Sequence, residues 1–434
     1  MIRLDSRKPV IFDDGFSRRD FLHAGALSLL GLSLPRFFSL QAQGAINRSK
    51  DMNCIMIFLL GGPSHLDTWD LKPDAPAEIR GPYKPIKTNV TGIEISEIFP
   101  RMAMQCDKIA FLHGCHHDDA ALHDTGHQLM QTGRLFQEGI EEPHIGSVLQ
   151  KLRGARGDAP AHVLLPHPMG NTGGNMPHGQ SAGYLGREYD PVVLNTDHIS
   201  TVRRMMDGVV RKIENDPAAS LMEDELHQAY TLISSSKMRE AIDLSQEPEA
   251  VRDKYGRNRF GQSCLLARRM IERGVRFVTI NMFESVFNQI TWDIHGSAPF
   301  SSIGCYRDSV GPMFDNGYAS LLEELAGRGL LSETLVMTTG EFGRTPKINP
   351  AGGRDHWPQC WTMFFAGGGV RGGQKIGSSD EIGAYPKDRP VSPAEVVATA
   401  YHALGVDLKT ELVVEPDRTI KLVDEGVRPI EEMF

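Results

Sequence analysis

Residues Cys54-Ile55-Met56-Ile57-Phe58-Leu59-Leu60 form an unbroken apolar run that stops at Gly61-Gly62-Pro63. A strand with one wet face alternates apolar and polar side chains. This run does not alternate, is rich in branched residues and is short, so it reads as a strand buried on both faces, as in a parallel sheet. Lys108 to Leu112, His162 to Leu165, Arg276 to Asn281, Thr334 to Thr339 and Trp361 to Ala366 read as further strands. Residues from about Thr201 to Arg273 are charged, with Leu, Met and Ala at helical spacing. Tyr306 to Arg328 and Pro393 to Leu404 follow the helical period, and Gly329 stops the former. Strands alternating with helices predict an α/β fold with a mostly parallel sheet. One domain over 45–434 with a helical insertion at about 200–270 is the economical division.

The chain has 434 residues, with 46 Lys plus Arg against 55 Asp plus Glu, a formal charge of −9. This balance excludes a general nucleic-acid binder, which needs a basic stripe to neutralise phosphates. No apolar run reaches the ~18 residues of a membrane span. Six cysteines are scattered without a C-x-x-C pair, which argues against Cys-type zinc sites and disulfide frameworks. The 16 histidines are the one compositional excess, and they cluster.

Ser17-Arg18-Arg19-Asp20-Phe21-Leu22 is a twin-arginine pattern, followed by an apolar stretch from Ala24 to Leu34 and then Pro35. This layout is that of an export signal over 1–44. The expectation is a folded protein carried by the twin-arginine translocase to the periplasm or beyond. Removing six Lys/Arg and four Asp/Glu with the leader takes the net charge from −9 to −11. The alternative is an amphipathic N-terminal helix with a chance Arg-Arg.

In a parallel sheet, ligands gather beyond the carboxyl ends of the strands. Four polar clusters fall at such places. After the first strand come His65 and Asp67, either of which can bind a metal; the alternative is a glycine turn with Ser64 or Asp67 capping a helix. Five histidines fall between His113 and His127. If that stretch is helical, His123 and His127 at i, i+4 share a face and offer two imidazoles to one ion. Thr125 between them is a candidate nucleophile. Asp293 and His295 alternate in an extended segment and face the same way. A carboxylate with neutral imidazoles suits zinc, manganese or ferrous iron rather than calcium. Glu341 follows the strand at 334–339 directly, and Asp355-His356 precedes the strand at 361–366. Arg344 or Arg354 can clamp an anion; alternatively Arg344 pairs with Glu341. The glycine-rich segment 367–373 fits neither nucleotide-loop pattern and reads as a hairpin or a close backbone approach.

From Gly61-Gly62-Pro63-Ser64-His65-Leu66-Asp67-Thr68-Trp69-Asp70 through Trp292-Asp293-Ile294-His295 to Glu341-Phe342-Gly343-Arg344-Thr345-Pro346 and Gly353-Arg354-Asp355-His356-Trp357-Pro358, the chain resembles domain-of-unknown-function family 1501. That is a secreted bacterial family placed in the alkaline phosphatase/sulfatase superfamily. The resemblance implies an alkaline-phosphatase-like three-layer sandwich whose strand-end loops hold divalent metal beside a nucleophile. It implies Asp293 and His295 as an Asp/His ligand pair and His356 as a later histidine. Glu341 stands where the superfamily has a metal-binding Asp, Phe342 where it has the following His, and Gly61 where the first strand usually ends in an Asp. No C/S-x-P-x-R segment is present, which disfavours ordinary sulfatase chemistry.

Two functions follow as expectations. The first is an exported metal-dependent hydrolase of phosphate or sulfate esters, acting on a small molecule or polysaccharide. Asp293, His295, Glu341 and His356 would be its ligands, with Asp67, His123 and His127 as further candidates. Arg344 would stabilise the anion, and Thr125 would serve as nucleophile if the chemistry is covalent. The alternative is a non-catalytic descendant that binds a partner outside the cytoplasm, suggested by Gly61 and Phe342.

Overall fold

A computed structural model describes residues 51–137, 139–173, 177–195, 235–415 and 418–434. The export-signal reading of 1–44 and the first part of the expected insertion lie outside the described residues.

The main sheet has eight strands. In chain order they are β1 (Asn53–Phe58), β2 (Ile109–Cys115), β3 (His162–Leu165), β4 (Val192–Val193), β5 (Phe277–Asn281), β6 (Thr334–Thr339), β7 (Trp361–Ala366) and β8 (Gln374–Ile376). Their spatial order is β8-β2-β7-β6-β1-β5-β3-β4. β1 is flanked in parallel by β5 and β6, and every residue of β1 is buried. Only β7 runs against the rest, antiparallel to both β2 and β6. Its amino end therefore lies at the same edge as the carboxyl ends of β1, β2, β5 and β6.

Among the described residues, the helices of nine residues or more are α1 (His123–Thr132), α2 (Ile145–Arg153), α3 (Arg259–Glu272), α4 (Gly311–Gly327) and α5 (Pro393–Ala403). They cover both faces of the sheet, as strand register requires. Phe58 pairs with Thr339, and Cys54 with Phe277, so Phe58, Cys54, Thr339 and Phe277 share a face. His127 of α1 meets Phe58 edge-on there, and His144, the N-cap of α2, meets Phe277. Thr338 and its partner Phe364 point the other way, and Phe314 and Tyr318 of α4 pack on Phe364. A mixed α/β sandwich with a large, mostly parallel sheet is thus the architecture.

Local chemistry explains the ends. Ser392 and Glu395 form a reciprocal capping box around Pro393 at the start of α5, and Asn258 caps α3 through the Gly261 N–H. Tyr306–Val310 is one π-helical turn leading into α4, where the sequence period predicts a single α-helix. α3 falls within the stretch read as an insertion, yet it packs on β5 and α4 and belongs to a sandwich layer. Among the described residues no helix is long and apolar enough to cross a membrane.

Candidate metal centre

Gly61 and Gly62 turn the chain sharply at the end of β1, with φ of 111° and 59°. A Cβ on Gly61 would stand 2.4 Å from the Asp293 nitrogen, and one on Gly62 2.6 Å from the Phe342 ring. The glycines let the β1 exit pass directly against the segments carrying Asp293 and Glu341. The Gly61 N–H consequently donates to Glu341 Oε1 at 2.8 Å. Gly343–Arg344 and His356–Trp357 form a two-residue antiparallel ribbon in which His356 stands opposite Arg344. That pairing aims both side chains at Asp293.

Asp293 is the centre. His295 Nε2 lies 3.1 Å and His356 Nε2 3.5 Å from its Oδ1, and His123 Nε2 lies 3.4 Å from its Oδ2. Arg344 Nη2 also bonds Oδ1. On the other side of the His123 ring, Nδ1 lies 2.5 Å from Glu341 Oε1, and His127 Nε2 is 3.8 Å from that oxygen. Asp293, His127, Glu341 and Arg344 are wholly buried, whereas the His295 side chain is 24% exposed and marks the open side. Phe342 packs against the rings of His123 and His356.

Burial alone would raise the Asp293 carboxyl. The Arg344 charge and hydrogen bonds with His123, His295 and His356 outweigh burial and hold it well below the usual range. Burial pulls the His123 ring down, but its bonds to Asp293 and Glu341 raise it to about 9. Burial dominates at His127 and His356, which fall to about 4 and are neutral at pH 7.

These residues fit a divalent cation. His356 Nδ1 lies 2.9 Å from the Ala121 carbonyl and His295 Nδ1 3.0 Å from Asp355 Oδ1. Both oxygens only accept, so each Nδ1 carries a hydrogen and Nε2 is the atom each ring turns toward Asp293. The two Nε2 atoms face one another at 3.0 Å and both face a carboxylate oxygen. A proton or a divalent cation among these atoms satisfies all three, and zinc-type ions take such imidazole and carboxylate donors. Among the described residues, both nitrogens of His127 and Glu341 Oε2 are buried and make no hydrogen bond, and His123 Nε2 and Asp293 Oδ2 are buried with only their mutual 3.4 Å contact. So many buried polar atoms without a good hydrogen-bond partner in one place mark a site built to bind something.

Asp67, Thr125 and Arg344 take other places than the sequence suggested. Asp67 is buried in an ion pair with Arg354, at 2.7 Å to Nε, and accepts from Ser64 Oγ at 2.5 Å, so its carboxylate is spent away from the cluster. Thr125 lies two residues from each α1 histidine, rotated about 200° from both, so it faces off their shared side. Arg344 donates to Gly62 O, Arg354 O, Gly61 O and Asp293, not to Glu341, so four of its five N–H groups are engaged internally and the side chain is wholly buried. His123, His127, Asp293, His295, Glu341 and His356 do come together. The Ala121 carbonyl behind His356 had no sequence signal, because any residue supplies a carbonyl. Asp355 was visible beside His356, but as a ligand candidate and not as the partner of His295.

Three solved structures resemble this chain at low similarity. "Ps i-CgsB in complex with k-i-k-neocarrahexaose" is 13% identical, with TM-score 0.38, over 82% of this chain and 72% of that one. The PsFucS1 sulfatase from Pseudoalteromonas sp. is 12% identical, with TM-score 0.36, over 86% and 72%. The lipoteichoic acid synthase LtaP from Listeria monocytogenes is 11% identical, with TM-score 0.34, over 90% and 80%. No curated protein matches the sequence. Residues 51–434 match the family described as "Protein of unknown function (DUF1501)", and the chain belongs to that family.

Proposed function

We propose that this protein is an exported, metal-dependent hydrolase of phosphate or sulfate esters. The observation that carries the proposal is the convergence of three Nε2 atoms, from His123, His295 and His356, on the two oxygens of buried Asp293. These four residues would hold the ion, and the imidazole-rich set favours zinc or manganese over calcium. A divalent ion supplies Lewis-acid polarisation of an ester oxygen and a nucleophilic water at neutral pH. Arg344 fixes the Asp293 carboxylate and keeps it ionised, and Phe342 walls two of the rings. His295 and His356, the more exposed members, face the side from which an ester would approach. The twin-arginine leader accounts for export of a chain already folded, with its metal in place.

The test is metal analysis of purified protein together with a panel of phosphate monoesters, phosphate diesters and sulfate esters. About one equivalent of bound zinc or manganese and a chelator-sensitive rate are expected. Absence of a divalent ion after zinc or manganese loading would end the proposal. One observation favours the second reading, a non-catalytic extracytoplasmic binding protein: the guanidiniums of Arg344 and Arg354 are both wholly buried and engaged internally, so neither is presented to a substrate anion. That reading expects bound metal and no turnover on any panel member.

A further inference from the structure

We infer that Glu341 stands outside the ligand set and is the positioning residue for His123, so that the centre holds one ion per chain. This rests on the metal-centre reading above, and it differs from the ligand role that the family resemblance implies for this position.

Spacing separates ligands from hydrogen-bond partners. Two atoms bound to one tetrahedral ion at roughly 2.0–2.2 Å stand about 3.2–3.6 Å apart. His123 Nε2 and Asp293 Oδ2 are 3.4 Å apart and His356 Nε2 and Asp293 Oδ1 3.5 Å, while His295 Nε2 stands somewhat closer, 3.1 Å from Oδ1. His123 Nδ1 and Glu341 Oε1 are 2.5 Å apart, a charge-assisted hydrogen-bond length that leaves room for a proton and not for an ion. The same Oε1 already accepts the Gly61 N–H.

The three histidines then obey one rule. His295 donates Nδ1–H to Asp355, His356 donates to the Ala121 carbonyl, and His123 donates to Glu341. Each anchor fixes a tautomer and turns Nε2 toward Asp293, the role that outer carboxylates and carbonyls play around metal-bound imidazoles. Glu341 is itself held rigidly. α1 crosses its backbone so closely that a Cβ on Gly126 would stand 2.3 Å from the Glu341 carbonyl oxygen. His127 marks the rival arrangement. A second ion shared by His127, Glu341 and His123 would require His123 Nδ1 to give up its hydrogen.

The experiment uses the full chain loaded with zinc chloride alone, with histidine ring nitrogens labelled with ¹⁵N for NMR. One zinc per chain, with His123 metallated at Nε2 and protonated at Nδ1, is expected. Glu341→Gln keeps an acceptor for both donors, and should still bind one zinc with affinity lowered about 10- to 100-fold in chelator competition. Glu341→Ala should lose more. Two zinc ions in the wild type, one zinc fewer in Glu341→Gln, or a His123 metallated at Nδ1 would overturn the inference while leaving the metal centre in place. No zinc bound to the wild type at all would overturn both. The wild-type spectrum decides the matter even if the variants fold poorly.

Discussion

Arg344→Leu is the sharpest perturbation of this architecture. The wild-type guanidinium is fully buried and serves Asp293 together with the carbonyls of Gly61, Gly62 and Arg354. Removing it strips a buried carboxylate of its counter-charge and leaves three carbonyls short of a donor. Breaking a buried pair by deleting one partner costs about 3–5 kcal/mol, most of it from the charge left behind. Unfolding entropy near the midpoint is roughly 2.1 cal/mol/K per residue. Over the ~380 residues from Asp51 to Phe434 that is about 0.8 kcal/mol/K, so the melting temperature should fall by roughly 4–6 °C.

The assay is thermal unfolding followed by circular dichroism, in chelator and then in excess zinc. In chelator the full loss is expected. In zinc the gap between variant and wild type should narrow, because a cation against Asp293 replaces part of the missing charge and binds only the folded chain. Arg344→Lys should recover part of the loss, since an ammonium restores charge without the fork that reaches several carbonyls. A variant melting within 1 °C of wild type in chelator would refute the assignment of Arg344 as the buried partner of Asp293. So would a gap that widens in zinc.

Gly126→Ala tests the crossing of α1 over Glu341. Alanine in an open helix position gains about 0.5–1 kcal/mol over glycine, so a destabilised variant that also loses zinc affinity, read by calorimetric titration, is the signature of the 2.3 Å clash. Titration across pH tests His123. Its ring pKa of about 9 in the metal-free chain means a proton leaves when Nε2 takes the ion. Zinc affinity should therefore rise with pH up to about 9, with about one proton released at neutrality, measured as a buffer-dependent binding heat. The metal-free protein should move the opposite way. A folded pKa above the unfolded 6.5 stabilises below that value, and the benefit is lost as pH rises through about 9, visible as a falling melting temperature in chelator. Asp67→Asn should destabilise by about 3–5 kcal/mol through the stranded Arg354 guanidinium and leave zinc affinity unchanged. A large drop in affinity would return Asp67 to the metal.

What the sequence disclosed depended on how local the physics is. β3, β6 and β7 lie where the sequence reading placed them, because strands buried on both faces are built mostly of apolar and β-branched residues without alternation. Short edge strands such as Val192–Val193 and Gln374–Ile376 carry no such run, and they were missed. The i, i+4 relation of His123 and His127 is helical geometry and was readable. The partner of each charge was not. Arg354 sits beside Asp355 and His356 in sequence but pairs with Asp67, 287 positions away. Arg344 is three residues from Glu341 yet pairs with Asp293, because the ribbon with His356 turns its side chain toward Gly61 and Asp293.

The departures at Gly61 and Phe342 argued in sequence for a disabled site, and in space they argue the reverse. A carboxylate at position 61 would have no room, because the Asp293 nitrogen occupies the place of its Cβ. The backbone N–H there is instead bonded to Glu341. Phe342 has its ring centroid 5.1 Å from that of His123 and 4.4 Å from that of His356, so the side chain standing in place of a ligand confines the rings of two others. A fold that had merely lost its site would be free to fill it with apolar side chains, since a buried charge without a partner costs several kcal/mol. This chain keeps Asp293 and Glu341 wholly buried, with His123, His127 and His356 turned toward them and several of their polar atoms without a good hydrogen-bond partner. That expense is reasonable if a cation collects around Asp293 and its histidines, which argues for a retained metal centre over a fold that has lost its site.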